Sequence, residues 1–312
     1  MKVCFFGLGS IGKRHLKNLA SVCKDCGTAL KVHAVRSHPD ALPEDISCLI
    51  ERQVSDTNML DESYDAAFIT NPTSMHYQTL MGIAGRCRCF FIEKPVFDSC
   101  RCDVSKIPLR DDAICYVAAP LRFTSVLRYM KDIAKEQTIY AVRSISSSYL
   151  PEWRPNQDYR TVYSAKKSLG GGVKIDLIHE WDYLTGMFGF PDEVHCLWGT
   201  NSHLEIDSED IAVYIAAYPK MTVELHLDYF GRKTQRSVTF FTKEGTIMGD
   251  IAGSKIVFDN GDDEIAFKED VNDKYVREMI YFIDLVTGRQ VQSINTIEHA
   301  LRVMQTAEGI AR

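Results

Sequence analysis

The sequence predicts an α/β protein in two parts. Residues 1–120 read as a doubly wound parallel sheet, and residues 121–312 as an α/β domain with a large, mostly antiparallel open sheet. Three observations carry this. The first part alternates short apolar runs with helical patterns, as parallel sheets do. Residues 193–268 read as strands, with the clean apolar–polar alternation of an antiparallel sheet that has one buried face. And 312 residues, at about 150 per domain, suggest two domains.

Residues 3–7 are an apolar run that stops at glycine, and 10–23 place Ile11, Leu16, Leu19, Ala20 and Cys23 on one helical face. A second strand is predicted over 30–36. Residues 66–70 are a buried strand closed by the turn signal Asn71-Pro72, and 74–85 are helical in pattern. Two more strands lie at 89–93, stopped by Lys94-Pro95, and at 113–118. After Pro120 the rhythm changes, which places the boundary near 119–122. A helix over 124–135 and a strand over 139–147 come next. Residues 149–169 form a long polar and aromatic loop. Loops of that length in compact domains are usually functional or disordered, and the Trp, Tyr and Arg side chains here argue against disorder. Gly170-Gly171-Gly172 leads into a helix over 174–188. In the strand at 222–229, Val223, Leu225, Leu227 and Tyr229 face one way, and Glu224, His226 and Asp228 the other. Asp259-Asn260-Gly261-Asp262 signals a hairpin turn. Helices over 273–287 and 296–311 end the chain.

Composition excludes several classes. At 45% hydrophobic and 25% charged, the chain is neither disordered nor collagen-like. Its longest apolar stretches have about nine residues, against about 20 for a membrane helix. The start lacks a secretory apolar region, and Lys13-Arg14-His15 follows at once. A soluble, cytoplasmic protein is expected, with no membrane partner. The net charge of -6 without a basic block argues against nucleic acid. Ten cysteines without an export signal are expected as reduced thiols. Their pairs show no sign of the convergence a zinc site needs, so no metal is expected.

Gly7-Leu8-Gly9-Ser10-Ile11-Gly12 follows a strand and opens a helix, as the dinucleotide fingerprint of a Rossmann domain requires. Gly7 permits the tight turn, Gly9 lets the backbone approach a pyrophosphate, and Gly12 lets the helix pack on the strand. The helix N-terminus supplies N–H groups and partial positive charge. In NAD sites the second strand ends in a carboxylate that binds the ribose 2′-hydroxyl. Here that place holds Arg36, followed by Ser37. A guanidinium can pair with a 2′-phosphate, so the expected cofactor is NAD(P), with NADP favoured. Arg36 stacking on adenine, or pointing into solvent, stays open.

Glu93-Lys94-Pro95 stands where a strand leaves the sheet, on the side where ligands bind. Lys94 can donate to a substrate oxygen, and desolvation would bring its pKa toward a useful range. A surface-turn lysine is the plain alternative. Pro95 restrains the backbone, a cis bond being one way. In 170–182, GGGVKIDLIHEWD, Asp176, His179 and Asp182 recur every three residues, near one helix face. A carboxylate can hold an imidazole in one tautomer and support its charged form, which suits proton exchange with a hydroxyl. Metal ligation, capping and core packing remain alternatives for the same residues.

Together, GLGSIGKRHLKNL at the start, FITNPTSMH at 68–76, EKP at 93–95, GGGVKIDLIHEWDYL at 170–184 and LDYFGR at 227–232 resemble the glucose–fructose oxidoreductase / inositol dehydrogenase / rhizopine-catabolism (Gfo/Idh/MocA) family. The resemblance covers most of the chain. It implies a Rossmann domain followed by an open α/β domain whose sheet often joins subunits, hence a homodimer or homotetramer. It also implies NAD(P)-dependent oxidation or reduction of a sugar, cyclitol or sugar derivative. By the same resemblance, Lys94 would orient the reacting hydroxyl or carbonyl. His179 would give or take the proton, and Asp176 would position His179 or share its role. Asn71, Pro72 and His76 would lie along the cofactor near the nicotinamide ribose, with Thr70, Glu93 and Lys94 also among the cofactor-binding residues. Many members have the Asp four residues before the His; here the gap is three. The segment 149–155, YLPEWRP, looks like a subgroup found in bacterial surface-sugar pathways.

A charged or phosphorylated sugar would suit Arg122, Arg154 and Arg160, and Trp153 could stack on a sugar ring. Pairing of those arginines with acidic neighbours, and anchoring of the loop by Trp153, are the plainer readings. Asp182 is expected to support its helix. The central expectation is that Lys94 and His179 meet over the nicotinamide ring. Two other readings stay open: a non-catalytic dinucleotide-binding sensor, and a family member that uses bound NAD for hydrolysis or elimination.

Overall fold

Two sheets organise the protein in the computed structural model, which describes residues 1–36, 41–259 and 263–309. The chain divides into two units, one of Met1–Pro120 with Asn272–Leu301, the other of Leu121–Val271 with the chain from Arg302 onward.

The first unit contains β1 (Lys2–Phe6), α1 (Ser10–Asp25), β2 (Lys31–Val35), α2 (Glu44–Ser47), β3 (Arg52–Val54), β4 (Tyr64–Ile69), α3 (His76–Ile83), β5 (Cys87–Ile92) and β6 (Ile114–Val117). Among the described residues these form a parallel sheet in the order β3-β2-β1-β4-β5-β6. Chain direction across the sheet reverses between β1 and β4, where such sheets open a crevice at their carboxyl ends. Parallel strands are covered on both faces, and so Val3, Phe5, Ala67, Phe68, Phe90 and Phe91 are fully buried. Phe5 stacks on Phe68 at 4.3 Å between ring centres. The helix Asp273–Thr287 belongs to this unit and sets Phe282 edge-on to Phe68 and Phe91, each at 5.2 Å. Its buried Glu278 accepts hydrogen bonds from the Tyr116 hydroxyl at 2.8 Å and the Ala119 N–H at 2.7 Å.

The second unit contains α4 (Ser125–Glu136), β7 (Ile139–Tyr149), α5 (Val173–Asp176), α6 (His179–Phe188), β8 (Glu193–Gly199), β9 (Ile211–Ala217), β10 (Thr222–Asp228), β11 (Phe230–Thr242), β12 (Thr246–Asp250), β13 (Lys255–Phe258) and β14 (Glu264–Ala266). Thr124 caps α4 through its hydroxyl oxygen, which accepts the Leu127 N–H at 3.3 Å. The sheet order is β14-β13-β12-β11-β7-β10-β9-β8, with β7 and β10 parallel and the other neighbours antiparallel. Val223, Leu225, Leu227 and Tyr229 are buried as the alternation predicts. On the inner face Trp181 of α6 stands edge-on to Tyr214 at 5.3 Å, and the Tyr183 hydroxyl meets Ser144 at 2.6 Å.

Three local features differ from the sequence reading. Asp228 is buried rather than exposed on the opposite face, because its carboxylate accepts the Phe230 and Gly231 N–H groups at 3.0 and 2.7 Å where β11 slips register. The helix expected over 174–188 is two helices, interrupted at Leu177–Ile178. The loop after β7 holds short 3-10 turns at Leu150–Glu152, Tyr159–Thr161, Tyr163–Ala165 and Lys167–Leu169. The turn signal Asn260-Gly261-Asp262 lies outside the described residues, although β13 and β14 on either side of it pair antiparallel. Among the described residues, no helix is long and apolar enough to cross a membrane.

Candidate functional site

In the first unit, the loop between β1 and α1 is shaped by its glycines. Gly7 has φ +88°, and a Cβ there would stand 2.7 Å from Asn71 Cα. A Cβ on Gly12 would meet the Gly7 carbonyl oxygen at 2.5 Å and Thr70 Oγ1 at 2.7 Å. A Cβ on Gly9 would meet nothing within 4 Å. Two glycines therefore serve the fold, while Gly9 leaves its open side to whatever approaches the loop. Leu8 is buried, Ile11 half-buried, and Gly9 and Ser10 exposed.

Side chains tie the strand exits together beneath this loop. The Thr70 hydroxyl shares its proton between Gly7 O at 2.6 Å and Phe6 O at 3.1 Å. His76 is buried, with Nε2 at 2.9 Å from Asn71 O and Nδ1 at 3.1 Å from Val96 O. Burial pushes its pKa below the ordinary histidine value, against the pull of those carbonyls and of Glu93. Thr70 and His76 are thus turned to backbone that shapes the site. Asn71 donates to Thr79 Oγ1 at 2.8 Å, and its own Oδ1 is buried with no hydrogen-bond partner among the described residues. Pro72 is exposed.

Glu93 lies at the end of β5, its Oε1 2.6 Å from His15 Nε2 and its Oε2 accepting the Lys94 N–H at 3.1 Å. Burial alone would raise the Glu93 pKa. The His15 hydrogen bond, with the charges of His15 and Lys94, outweighs it and holds the carboxyl below the usual range. Lys94 is half-buried and precedes a cis Lys94–Pro95 peptide. Arg36 donates to Gln53 Oε1 at 3.2 Å, and Ser37 lies outside the described residues. His15 is absent from the sequence-derived site. Its only local signal is its place three residues after Gly12, one turn further along the face of α1 that meets the sheet.

In the second unit, Asp176 ends α5 and His179 opens α6. Asp176 Oδ2 accepts the Ser164 hydroxyl at 2.5 Å and the Tyr229 hydroxyl at 3.1 Å. Burial, then the Asp176 charge, keeps the Tyr229 phenol well above its ordinary pKa, so it remains a donor. The same causes, with Glu209, push Tyr163 up to about 12. Asp182 does not join Asp176. The break between the helices turns it toward Arg122, whose Nε and Nη2 bind Oδ2 and Oδ1, each at 2.8 Å.

That fork commits the Nε and Nη2 edge of Arg122 to Asp182, which is the plainer of the two readings the sequence offers for it. Arg160 is likewise engaged, by Asp158 at 2.9 Å and Glu205 at 3.1 Å. Trp153 donates through its ring nitrogen to Ser148 at 2.9 Å and stands edge-on to Tyr229 at 5.3 Å, so it anchors the loop beside the Asp176 clamp. Arg154 is exposed and lines a small pocket with Leu150, Trp153, Gln157 and Tyr159. The cysteines are free thiols, and no group of three or more His, Cys, Asp or Glu side chains is placed to hold a metal among the described residues.

Residues 127–248 match the GFO/IDH/MocA C-terminal domain. No curated protein matches the chain in sequence. Among solved structures, the fold is similar to UDP-N-acetylglucosamine 3-dehydrogenase GnnA from Acidithiobacillus ferrooxidans, at TM-score 0.77 and 17% identity over 100% of this chain and 96% of that one. The WlbA dehydrogenase from Bordetella pertussis, solved with NADH and UDP-GlcNAcA, gives 0.77 and 19% over 99% and 95%. The myo-inositol 2-dehydrogenase from Lactobacillus plantarum gives 0.74 and 17% over 99% and 96%. Residues 127–248 thus carry the match to the GFO/IDH/MocA C-terminal domain, and the chain shares its fold along nearly the whole length with these solved dehydrogenases.

Proposed function

We propose that the chain is an NAD(P)-dependent oxidoreductase that moves a hydride between nicotinamide and a CH–OH or keto carbon of a sugar, cyclitol or sugar derivative. The observation that carries this reading is the loop at residues 7–12, where Gly7 and Gly12 are closed by backbone and Gly9 opens to space. The residues present fit a dinucleotide. The first turn of α1 offers N–H groups without intrahelical partners for a pyrophosphate. Asn71 Oδ1 is a buried acceptor that a ribose or carboxamide donor would satisfy. Arg36 would take a 2′-phosphate, which favours NADP. The nicotinamide, when bound, supplies the hydride exchange.

The chain's own side chains do the rest. Lys94 orients the substrate oxygen by donating to it. His179 accepts the hydroxyl proton in the oxidative direction and returns it in the reductive one. Asp176, fixed by Ser164 and Tyr229, supports the charged form of that imidazole. The names of the similar dehydrogenases favour sugars and cyclitols as the substrate class. We place contact between identical subunits, in a homodimer or homotetramer, on the outer face of the eight-stranded sheet, where Leu197 and Ile215 are exposed. Free thiols fit a reducing, cytoplasmic setting.

The test is thermal unfolding with NAD, NADH, NADP and NADPH in turn, followed by a panel of cyclitols, sugars and nucleotide sugars read by absorbance of the reduced nicotinamide. A cofactor at 100 times its Kd adds about 2.7 kcal/mol of stability. NADPH is expected to give the largest shift. Absence of a shift with all four would overturn the reading.

A further inference from the structure

His15 and Glu93 form a buried pair that belongs neither to the glycine loop nor to the groups assigned to the substrate. His15 is fully buried on α1, and its Nε2 approaches Glu93 Oε1 to 2.6 Å. The other Glu93 oxygen accepts the Lys94 N–H at 3.1 Å. One carboxylate thus joins the helix behind the glycine loop to the backbone from which Lys94 extends. Phe91 packs on the His15 ring at 4.6 Å, and Tyr275 stands edge-on to it at 6.1 Å with the Arg14 guanidinium over its own face. The titratable groups around Glu93 are His15 from α1, Lys94 from its own turn, His76 from α3, and Tyr275 from the helix Asp273–Thr287.

Stability alone does not account for such a pair. Two well-packed apolar side chains in place of a buried ion pair are often neutral or better. Apolar side chains cannot, however, accept the Lys94 N–H or set a fixed negative charge beside the lysine. A contact at 2.6 Å to a carboxylate requires the proton on Nε2, and His15 Nδ1 has no partner among the described residues to draw it away.

We propose that His15 is a positioning residue for Lys94. It acts through Glu93, donating Nε2–H to the carboxylate and so holding fixed and ionised the group that anchors the Lys94 backbone. The proposal rests on the assignment of Lys94 to the reacting oxygen.

The test compares His15→Leu, His15→Gln and Glu93→Gln in the full-length protein. His15→Leu removes the donor, and His15→Gln keeps an amide N–H in reach of the carboxylate. Three readouts are taken: kcat and KM across pH with the substrate found in the panel, NADPH binding by cofactor fluorescence, and the NMR signal of reductively 13C-methylated Lys94. That signal is assigned by its loss in Lys94→Arg and needs no substrate. A displaced Lys94 is expected to lower kcat at least about tenfold in His15→Leu, with NADPH affinity kept.

The pH profile separates positioning from simple bracing. Without the His15 donor, burial raises the Glu93 pKa, so the carboxyl protonates at higher pH and the rate falls as pH drops through that value. The wild type, with Glu93 held low, lacks that acid limb, and Glu93→Gln, slow at every pH, lacks it too. The Lys94 signal moves in His15→Leu and Glu93→Gln and returns in His15→Gln. A wild-type kcat and an unmoved Lys94 signal in His15→Leu would overturn the proposal. If that variant does not fold, the same result in Glu93→Gln overturns it. Full turnover in Lys94→Ala would instead sink the assignment of Lys94 itself, and this role with it.

Discussion

Tyr229, which follows β10, and Asp176, at the end of α5, are joined by a hydrogen bond of 3.1 Å to the same carboxylate oxygen that Ser164 binds at 2.5 Å. Ser164 comes from the long loop after β7, and Trp153 of that loop packs on the Tyr229 ring. The loop and the carboxylate are therefore one assembly. Hydrogen bonds to charged groups are worth about 1.5–3 kcal/mol, so losing one donor should cost about ten- to a hundredfold in kcat where Asp176 supports His179. Tyr229→Phe is the cleaner variant because its ring still packs against Trp153. Its kcat should fall while thermal unfolding shifts little. Unchanged kcat in both Tyr229→Phe and Ser164→Ala would remove Asp176 from the reaction.

Gly9 and Gly12 should separate binding from folding. Gly12→Ala sets a methyl 2.5 Å from the Gly7 carbonyl oxygen, which backbone must move to admit. Overpacking of this kind costs about 1–3 kcal/mol, so Gly12→Ala should melt earlier and bind cofactor poorly. Gly9→Ala meets no atom within 4 Å and should unfold like the wild type. In the proposed function its methyl would occupy the side from which a pyrophosphate approaches, so NADPH affinity should still drop. Calorimetry and fluorescence titration of both variants check this, and a Gly9→Ala protein that binds as well as wild type would refute the cradle.

Lys94→Ala and His179→Ala test the proposed roles of these two side chains in the reaction. Proton transfer by a placed side chain contributes about 10²–10⁴-fold, so each variant should lose at least about a hundredfold in kcat. NADPH-induced stabilisation should persist in both, since neither belongs to the glycine loop. Single-turnover rates with the panel substrate would report the loss free of product release. A sensor that merely binds the dinucleotide would tolerate both changes.

What could be read in advance follows from how local each signal is. The parallel strands were visible because both faces are buried and the runs are short, as in Ala66, Ala67 and Phe68. The alternation of Val223, Leu225 and Leu227 showed the antiparallel sheet for the converse reason. β3 (Arg52–Val54) escaped, since two of its three residues are exposed and carry no pattern. The return of residues 272–301 to the first unit was hidden because an amphipathic helix declares a buried face, not its partner. No Gly or Pro marks the break at Leu177–Ile178, so by sequence the motif reads as one helix that groups Asp182 with Asp176. The His15–Glu93 pair joins residues 78 positions apart, and polar pairs at that separation leave no periodicity.

The arginines of the second unit divide by partner. Arg122 and Asp182 are only 12% and 10% exposed, and breaking a buried pair by removing one member costs about 3–5 kcal/mol. Arg122→Met should therefore melt far earlier, yet show a normal KM where it remains folded. Arg154 has no ion pair among the described residues and faces the pocket beside Trp153. With a charged sugar as substrate, Arg154→Ala should raise KM about tenfold at unchanged melting temperature. A KM effect in Arg122→Met and none in Arg154→Ala would reverse this division.

In the proposed function, Arg36 is the residue that chooses between the two cofactors. It stands just after β2, where a carboxylate would bind a 2′-hydroxyl, and its Nη1 now donates to Gln53 at 3.2 Å. Gln53 is neutral, so a 2′-phosphate would compete well for the guanidinium. Charge-assisted pairs of that kind are worth about 1.5–3 kcal/mol, hence about ten- to a hundredfold in Kd. Arg36→Ala should weaken NADPH by that factor and leave NADH nearly untouched, whereas Arg36→Asp should also strengthen NADH. The titrations belong at one fixed ionic strength, because salt screens a phosphate pair more than a hydroxyl contact. Equal weakening of both cofactors would mean that Arg36 stacks on adenine. A wild-type protein that binds NADH more tightly than NADPH would overturn the phosphate assignment outright.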